Sequence, residues 1–518
     1  MALANGVTQE TLDLAKTAIS TPDDSPLAKN YTQSLGLVNY DLQPVALNLF
    51  PVLCPLRNII PRVAGNGGTA TNWKAITGVN TTAMLPGVSE ANRSAFVTST
   101  TANFVASYKG QGLEDYVSFE ADYAAGGFMD VKARSVANLL AATMTEEERI
   151  IVGGNAGQAL GTANTPTVAT STTGGAIATA TAVYVLVVGL TMDGQRRTTV
   201  SAGCPGSISR TNADATSDSM GGGNGQISLS GNVTTGAGST NSVQASVTPK
   251  AGEVAWAWYW GASAAAATLG AVTTINSVNI TTAAGTGSQT AVNAAVTADN
   301  SLNALIYDGL ISQIMPAGVL TAYDSSLASC SISTSYGANA LVGQMATGVA
   351  GTGTPLTSDG AGGVVEIDQM LQNYWNLYRM SPSKIICNAQ EAKNINKKIL
   401  AGTTGSFLRF NTDWTSQADQ SGIGGTGTRA YYNKFTGQLL QVMIHPFVPA
   451  GTIIFWSDSI PYPLSGVGNT LQIKTRRDYY QLEWPVTKRR YEYGVYLDSV
   501  LQNYVPFAFG ILRNIANG

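Results

Sequence analysis

The sequence predicts an α+β fold interrupted by an all-β insertion, and three observations carry that expectation. Segments 119–150 and 366–400 place apolar residues at helical spacing, whereas 439–498 is rich in strand-forming runs. Between them, residues 161–300 hold only nine charged side chains in 140 positions and are dominated by Thr, Ala, Gly and Ser. At 518 residues the chain exceeds what one hydrophobic core usually serves, so two to four domains are expected.

Residues 1–64 read as an arm. "TLDLAKTAI" suits a short helix, but prolines at 44, 51, 55 and 61 break the apolar groups that follow and favour extended chain. An extended apolar arm cannot bury itself and needs a surface to lie on. Residues 65–118 read as a long β-hairpin with a broad tip at "TGVNTTAMLPGVSEANRS"; two strands alone are marginal. Segment 119–160 opens with the clearest helix, 119–150, in which Phe119, Tyr123, Val136, Leu139, Leu140 and Met144 recur at helical spacing. Gly126 and Gly127 weaken its middle, and the glycines from 153 end it.

In the insertion, 161–300, the β-runs are 180–192, 225–230, 242–248, 254–260 and 273–282, which predicts a small antiparallel sandwich. In "VAWAWYW" the period of two puts Val254, Trp256, Trp258 and Trp260 on one face and Ala255, Ala257 and Tyr259 on the other. The indoles are expected to form the sandwich core rather than an exposed platform. Segment 301–450 begins with helix-forming text at 301–315. It continues with a helix carrying Ile367, Leu371, Trp375 and Tyr378 that stops before Pro382, the strand "KIICN" and a helix over "QEAKNINKKIL". Residues 451–518 close the chain with further strands.

Charged residues make up 12%, about half the usual share, and the formal net charge is -3. Such a surface is either covered with neutral polar groups or consumed by contacts with copies of itself. The balance argues against a dedicated nucleic-acid binder. The N-terminus lacks the pattern of a signal peptide, and the apolar run 181–192 is too short for a membrane span. Reduced cysteines and no membrane partner are therefore expected.

No residue is assigned a catalytic, cofactor-binding or metal role, no cofactor is expected, and the chain is not expected to be an enzyme. His445 is the lone histidine and is expected to be structural. The acid run "TEEER", 145–149, is expected to be a solvent-facing helix end rather than a metal site. Cys204 and Cys330 fall in polar text and suggest exposed thiols without an activating partner. The glycine pairs match no Walker A or dinucleotide fingerprint. Lys474, Arg476, Arg477, Lys488, Arg489 and Arg490 form the densest basic group. A solvated face, a salt-bridged contact between subunits and a positive lining toward a polyanion all remain open for it.

"YYNKFTGQLLQVMIHPFVPAGTIIFWSDSIPYP" (431–463) and "YYQLEWPVTKRRYEYGVYLDSVLQNYVPFAFGILRNI" (479–515) resemble the end of a tailed-phage major capsid protein of the HK97-like fold. The resemblance covers about 1–160 and 300–518. It implies an N-terminal arm (1–64), an extended loop (65–118) and a peripheral domain with its spine helix (119–160). It further implies an axial domain (301–450) and a C-terminal part shared by the two domains (451–518). Segment 161–300 departs from the minimal pattern and looks like an Ig-like insertion.

The implied function is a virion shell: pentamers and hexamers of this chain closing an icosahedral capsid around double-stranded DNA, assembled in the host cytoplasm. Implied partners are other copies of the chain, a separate scaffolding protein, a portal protein at one vertex, a decoration or cement protein and non-specifically held DNA. Some members crosslink subunits through a Lys–Asn isopeptide bond; Lys74, Lys109 and Asn433 are nominal candidates, and no crosslink is expected. The alternative is another structural protein with an Ig-like binding module, such as a tail tube, surface-layer protein or adhesin.

Overall fold

The computed structural model describes residues 51–65, 67–79, 87–94, 96–126, 129–315, 323–324, 330–333, 340–400, 430–462 and 465–518. The helix expected over "TLDLAKTAI" and most of the arm lie outside them. The chain forms two compact units, one comprising Met1–Pro51 with Phe119–Arg134, the other Val52–Ser118 with Ser135–Gly518. In the smaller unit, helix Phe119–Ala124 is followed by the start of a second helix, and Lys132 pairs with Asp122 at 2.9 Å. The helix expected over 119–150 is thus two, Phe119–Ala124 and Val131–Gly153, parted around the glycine pair that weakens it.

In the larger unit a four-stranded sheet is ordered Arg62–Ala64, Leu471–Glu483, Arg490–Asn503, Lys109–Ser118. Its centre is a long antiparallel hairpin, Leu471–Glu483 with Arg490–Asn503. The short strand Arg62–Ala64 lies parallel to its outer edge, in the register Arg62↔Ile473. The expected 65–118 hairpin is divided: Ala70–Val79 pairs with Ser99–Ser107 as a separate two-stranded sheet, whereas Lys109–Ser118 turns away to join the four-stranded sheet. On the inner face of the separate hairpin Trp73 stacks on Phe104, 5.6 Å between centroids, and meets Tyr504 edge-on at 5.8 Å.

An eight-stranded mixed sheet runs Tyr323–Asp324, Cys330–Ser333, Leu341–Met345, Phe509–Arg513, Ile453–Trp456, Lys384–Cys387, Leu439–Ile444, Ala430–Tyr432. Its central strands 384–387, 453–456 and 509–513 are buried at every position, as strands covered on both faces must be. Helices Val365–Asn373 and Ala389–Leu400 flank it. Val364, Ile367, Met370 and Leu371 enter the same core as Ile385, Ile386, Phe455 and Ile511. Of the helix expected over 301–315, only Leu310–Ile314 forms.

Within 161–300 three antiparallel sheets appear: a three-stranded one ordered Ser277–Ile280, Ser242–Ser246, Thr167–Ser171, a four-stranded one ordered Thr268–Thr273, Ala255–Gly261, Ala182–Leu190, Gly231–Thr234, and the two-stranded pair Ser207–Thr211 with Ser217–Gly221. Segment 225–230 is not a strand; the strand that forms nearby is Gly231–Thr234. Trp256, Trp258 and Trp260 share one core with Val183, Val185, Val187, Val243, Ala245 and Ile280, drawn from the first two of these sheets. The opposite face is not solvated. Ala255, Ala257 and Tyr259 are covered by Cys204, Leu269, Ala291 and Val296, so strand 255–261 is buried throughout.

This region also interlocks with the C-terminus. Asn514, held at φ 64°, donates to Asn276 Oδ1 (3.1 Å) and Met345 O (2.8 Å) and accepts from the Asn276 amide (2.8 Å). The buried Arg513 donates to the carbonyls of Lys250 (2.7 Å) and Glu253 (3.0 Å). Val254 and Met192 belong to the core that contains the eight-stranded sheet.

A candidate anchoring site

Segment 54–62 supplies the short helix Pro55–Ile59 and the strand that begins at Arg62. A five-residue helix is not stable on its own, and its first turn leaves backbone N–H groups without partners. Proline at its first position removes one of them, and Cys54 offers no side-chain cap. The remaining donors find a carboxylate from another helix: Glu148 Oε1 accepts from Leu56 N–H at 2.8 Å, and Glu148 Oε2 from Arg57 N–H at 2.7 Å. A negative charge at that end also suits the helix dipole.

The neighbouring acid faces a different way, since successive helical residues diverge by about 100°. Glu147 accepts from Arg57 Nε (3.0 Å) and Arg62 Nη1 (2.9 Å), and the Tyr479 hydroxyl donates to it. Arg62 also pairs with Asp478 at 2.7 Å, and both guanidinium groups lie over the Tyr479 ring at 4.9 and 5.2 Å. Burial pushes the Tyr479 phenol above its ordinary value, and Glu147 adds to the shift. Burial likewise raises the Cys54 thiol, with Glu148 contributing, so this cysteine is not an activated nucleophile.

The acid run 145–149 is therefore not a solvent-facing helix end. Glu147 and Glu148 are 0% exposed. Arg149, almost buried, pairs with Glu146 (2.6 Å) and with Asp193. The reason is the run that follows, Ile150, Ile151 and Val152, all buried: a helix end apolar on every side lies inside. The acids are carried in with it and must be paired there. Among the described residues no group of three or more His, Cys, Asp or Glu could hold a metal ion.

His445, just after strand Leu439–Ile444, completes the arrangement. It is 0% exposed, and its Nε2 lies 2.6 Å from Glu148 Oε1. Phe447 N–H donates to Nδ1 at 3.2 Å, which places the proton of the neutral ring on Nε2, pointing at Glu148. One pair of adjacent acids thus joins four pieces of chain: segment 54–62, the long helix, the long hairpin at 478–479 and the turn at 445.

The other candidate residues are dispersed. Cys204 is buried, not exposed, and receives the Tyr259 hydroxyl; burial raises its thiol. Cys330 lies on strand Cys330–Ser333. Burial pushes the Cys387 thiol up to about 12. In the basic group Arg476 pairs with Asp498 (2.9 Å), Arg490 pairs with Glu492, and Arg477 and Arg490 cover Tyr480 (3.8 Å) and Tyr116 (4.4 Å). Lys488 and Arg489 are exposed at the hairpin tip. Asn433 is fully buried and donates to Ser381 Oγ at 2.7 Å, Lys109 donates to Ala304 O at 2.7 Å, and Lys74 is exposed on the separate hairpin.

Neither a family model nor a curated protein matches the chain. Among solved structures it is similar to the chain described as "Capsid of native GTA particle computed with C5 symmetry" (10% identity, TM-score 0.44), covering 94% of this chain and 98% of that one. It is similar to the "Cyanophage A-1(L) capsid asymmetric unit" (10% identity, TM-score 0.42), covering 94% and 99%. It is also similar to the holo-SrpI encapsulin complex of Synechococcus elongatus PCC 7942 (8% identity, TM-score 0.39), covering 95% and 96%.

Proposed function

We propose that this chain is the major capsid protein of a tailed bacteriophage, with an HK97-like fold and an Ig-like insertion. In this reading its function is geometric: identical subunits form pentamers and hexamers that close an icosahedral shell around double-stranded DNA. The observation that carries the reading is the separate hairpin, 70–107. Among the described residues it gains no third strand, and beyond the Trp73–Phe104 face it presents Ile76 (70% exposed), Phe96 (87%) and Val105 (65%). An isolated two-stranded excursion with large apolar side chains in water is a poor element of a monomer and a good one for lying on a neighbouring subunit.

Two further features support it. A chain with 12% charged residues suits a surface consumed by repeated contacts. The pinned segment 54–62 gives an N-terminal arm a fixed point from which to reach a neighbour. The expected partners are copies of the chain, a separate scaffolding protein, a portal protein at one vertex, a decoration protein and DNA held without base recognition. Electron microscopy of the full chain expressed with the scaffolding protein of the same phage tests the proposal. Closed icosahedral shells are expected; discrete monomers or helical tubes overturn it.

A further inference from the structure

We propose that residues 161–300 act as a strut that fixes the angle between the four-stranded sheet with its long helix, Val131–Gly153, and the eight-stranded sheet. The proposal goes beyond the shell reading and does not rest on it.

The segment leaves and rejoins the chain side by side: Leu160 N–H donates to Ser301 Oγ at 3.0 Å, and Asn155 Nδ2 to Ser301 O at 2.9 Å. A body hung on two such strands alone is free to swing. This one is bonded to both sides from within. Toward the helix, Asp193, in the first turn of the short helix Met192–Arg197, pairs with Arg149, whose guanidinium Glu146 also holds at 2.6 Å. Met192 packs so closely on Gly153, the last residue of the long helix, that a Cβ there would lie 2.4 Å from its sulfur. The long helix moves with the four-stranded sheet, because Ser135 donates to Asp115 and Tyr479 to Glu147. Lys109 of that sheet donates to Ala304 O at 2.7 Å, just past the point where the segment rejoins.

On the other side the bonds reach the end of the eight-stranded sheet. Arg513 donates to the carbonyls of Lys250 (2.7 Å) and Glu253 (3.0 Å), and Asn276 and Asn514 bond each other twice. Asn276 Nδ2 also donates to Thr347 Oγ1 at 3.0 Å. Gly351 N–H donates to Ser277 Oγ at 3.2 Å; its φ is 78°, and a Cβ on it would lie 2.7 Å from Asn279 N. Asn276, Arg513 and Asn514 are at most 3% exposed. The two sheets do share an apolar core, but apolar contact is non-directional and lets packed bodies slide. Hydrogen bonds have preferred directions, and here one packed body carries buried ones to both sides. A body fixed to both sides fixes the angle between them.

Pulsed dipolar distances between two spin labels on the full, unassembled chain test the strut, whether or not shells form. Tyr116→Cys labels the four-stranded sheet, and Lys393→Cys labels helix Ala389–Leu400 beside the eight-stranded one; both sites are exposed and lie outside 161–300. Cys330→Ser is added, and Cys54, Cys204 and Cys387 are buried. This parent should give one narrow distance, no wider than the labels' own freedom. Asp193→Ala, which leaves Arg149 its Glu146 partner, and Asn276→Ala should each broaden it. Together they should broaden it about twofold or split it, as hinge motion between packed bodies does. The near-ultraviolet signal of the buried indoles should persist, which shows that the segment is still folded. An unchanged distance distribution in the folded double variant overturns the proposal. If the variants do not fold, the parent decides alone: a broad or two-peaked distance there overturns it equally.

Discussion

The sandwich strand 255–261 and the helix end 147–148 are both fully buried, yet they are held by opposite means. The strand is apolar on both faces, with three indoles on one side and Ala255, Ala257 and Tyr259 on the other. Two of its indoles are satisfied locally, Trp258 Nε1 donating to Thr273 Oγ1 at 2.8 Å and Trp256 Nε1 to Glu253 at 3.2 Å, whereas Trp260 Nε1 is buried without a partner. The helix end carries two carboxylates whose partners come from distant parts of the chain. The strand therefore stabilises by area and shape, whereas the helix end contributes little net energy but dictates where four segments meet. The sharpest way to break the contrast is Trp258→Ala. It should cost about 3–5 kcal/mol, the range for removing a large core aromatic. Because Asn276 and Lys250 are tied to Asn514 and Arg513, denaturant should show one transition for residues 161–300 and the eight-stranded sheet together. Two separate transitions would show that the interlock does not couple them.

Removing a charge from the helix end tests the other half. Glu147→Ala leaves Arg57 and Arg62, both mostly buried, without their shared partner and should destabilise by about 3 kcal/mol in chemical denaturation. Added salt should change wild-type stability little, because the carboxylate lies out of reach of mobile ions. A variant as stable as wild type would demote the site to a surface ion pair. Asn514→Ala comes next, at about 2 kcal/mol, since it loses three hydrogen bonds and puts a Cβ-bearing residue without a polar side chain at φ 64°. Asn514→Gly should recover only the backbone part, about 1 kcal/mol, as read from the shift in denaturation midpoint.

The same contrast explains what was legible in the sequence. The period of two in "VAWAWYW" places Ala255 to Trp260 correctly on two faces, because a strand's alternation is a local property; Val254, expected beside the indoles, precedes the strand and packs in the core of the eight-stranded sheet instead. That the second face is also buried depends on Cys204 and Val296, which no local pattern connects to Tyr259. The helix over 366–373, the strand at 384–387 and the helix from 389 follow from periodicity and Pro382. The acid pair is misread because charge is read as solvated by default, and its partners lie 85 to 332 residues away along the chain. The apolar run at 150–152 was the available signal that this end is buried. Strand pairing is the other gap: "AFVTSTTANFVASYKGQGLEDYVS" reads as one returning strand, but it serves two sheets with the change at Tyr108.

The smallest expected effect lies at Glu253, where the two kinds of region meet. This carboxylate sits at the edge of the indole core, fully buried, and accepts from Lys250 N–H (2.7 Å) and Trp256 Nε1–H. Burial raises its carboxyl above the ordinary 4.5, against the pull of those donors and of Arg513. The native state therefore binds this proton more tightly than the unfolded chain does. Its contribution to stability is fully present below the unfolded value and is lost as pH rises toward the native one, then stays lost. Glu253→Gln keeps one carbonyl oxygen for both donors and removes the charge, so it should equal or slightly exceed wild type at neutral pH, by about 1 kcal/mol. Its advantage should shrink as pH falls toward 4.5. A melting series across that range reads the slope. If Glu253→Gln instead loses stability at neutral pH, the charge is compensated by Arg513, and the edge of the indole core is held electrostatically, as the helix end is.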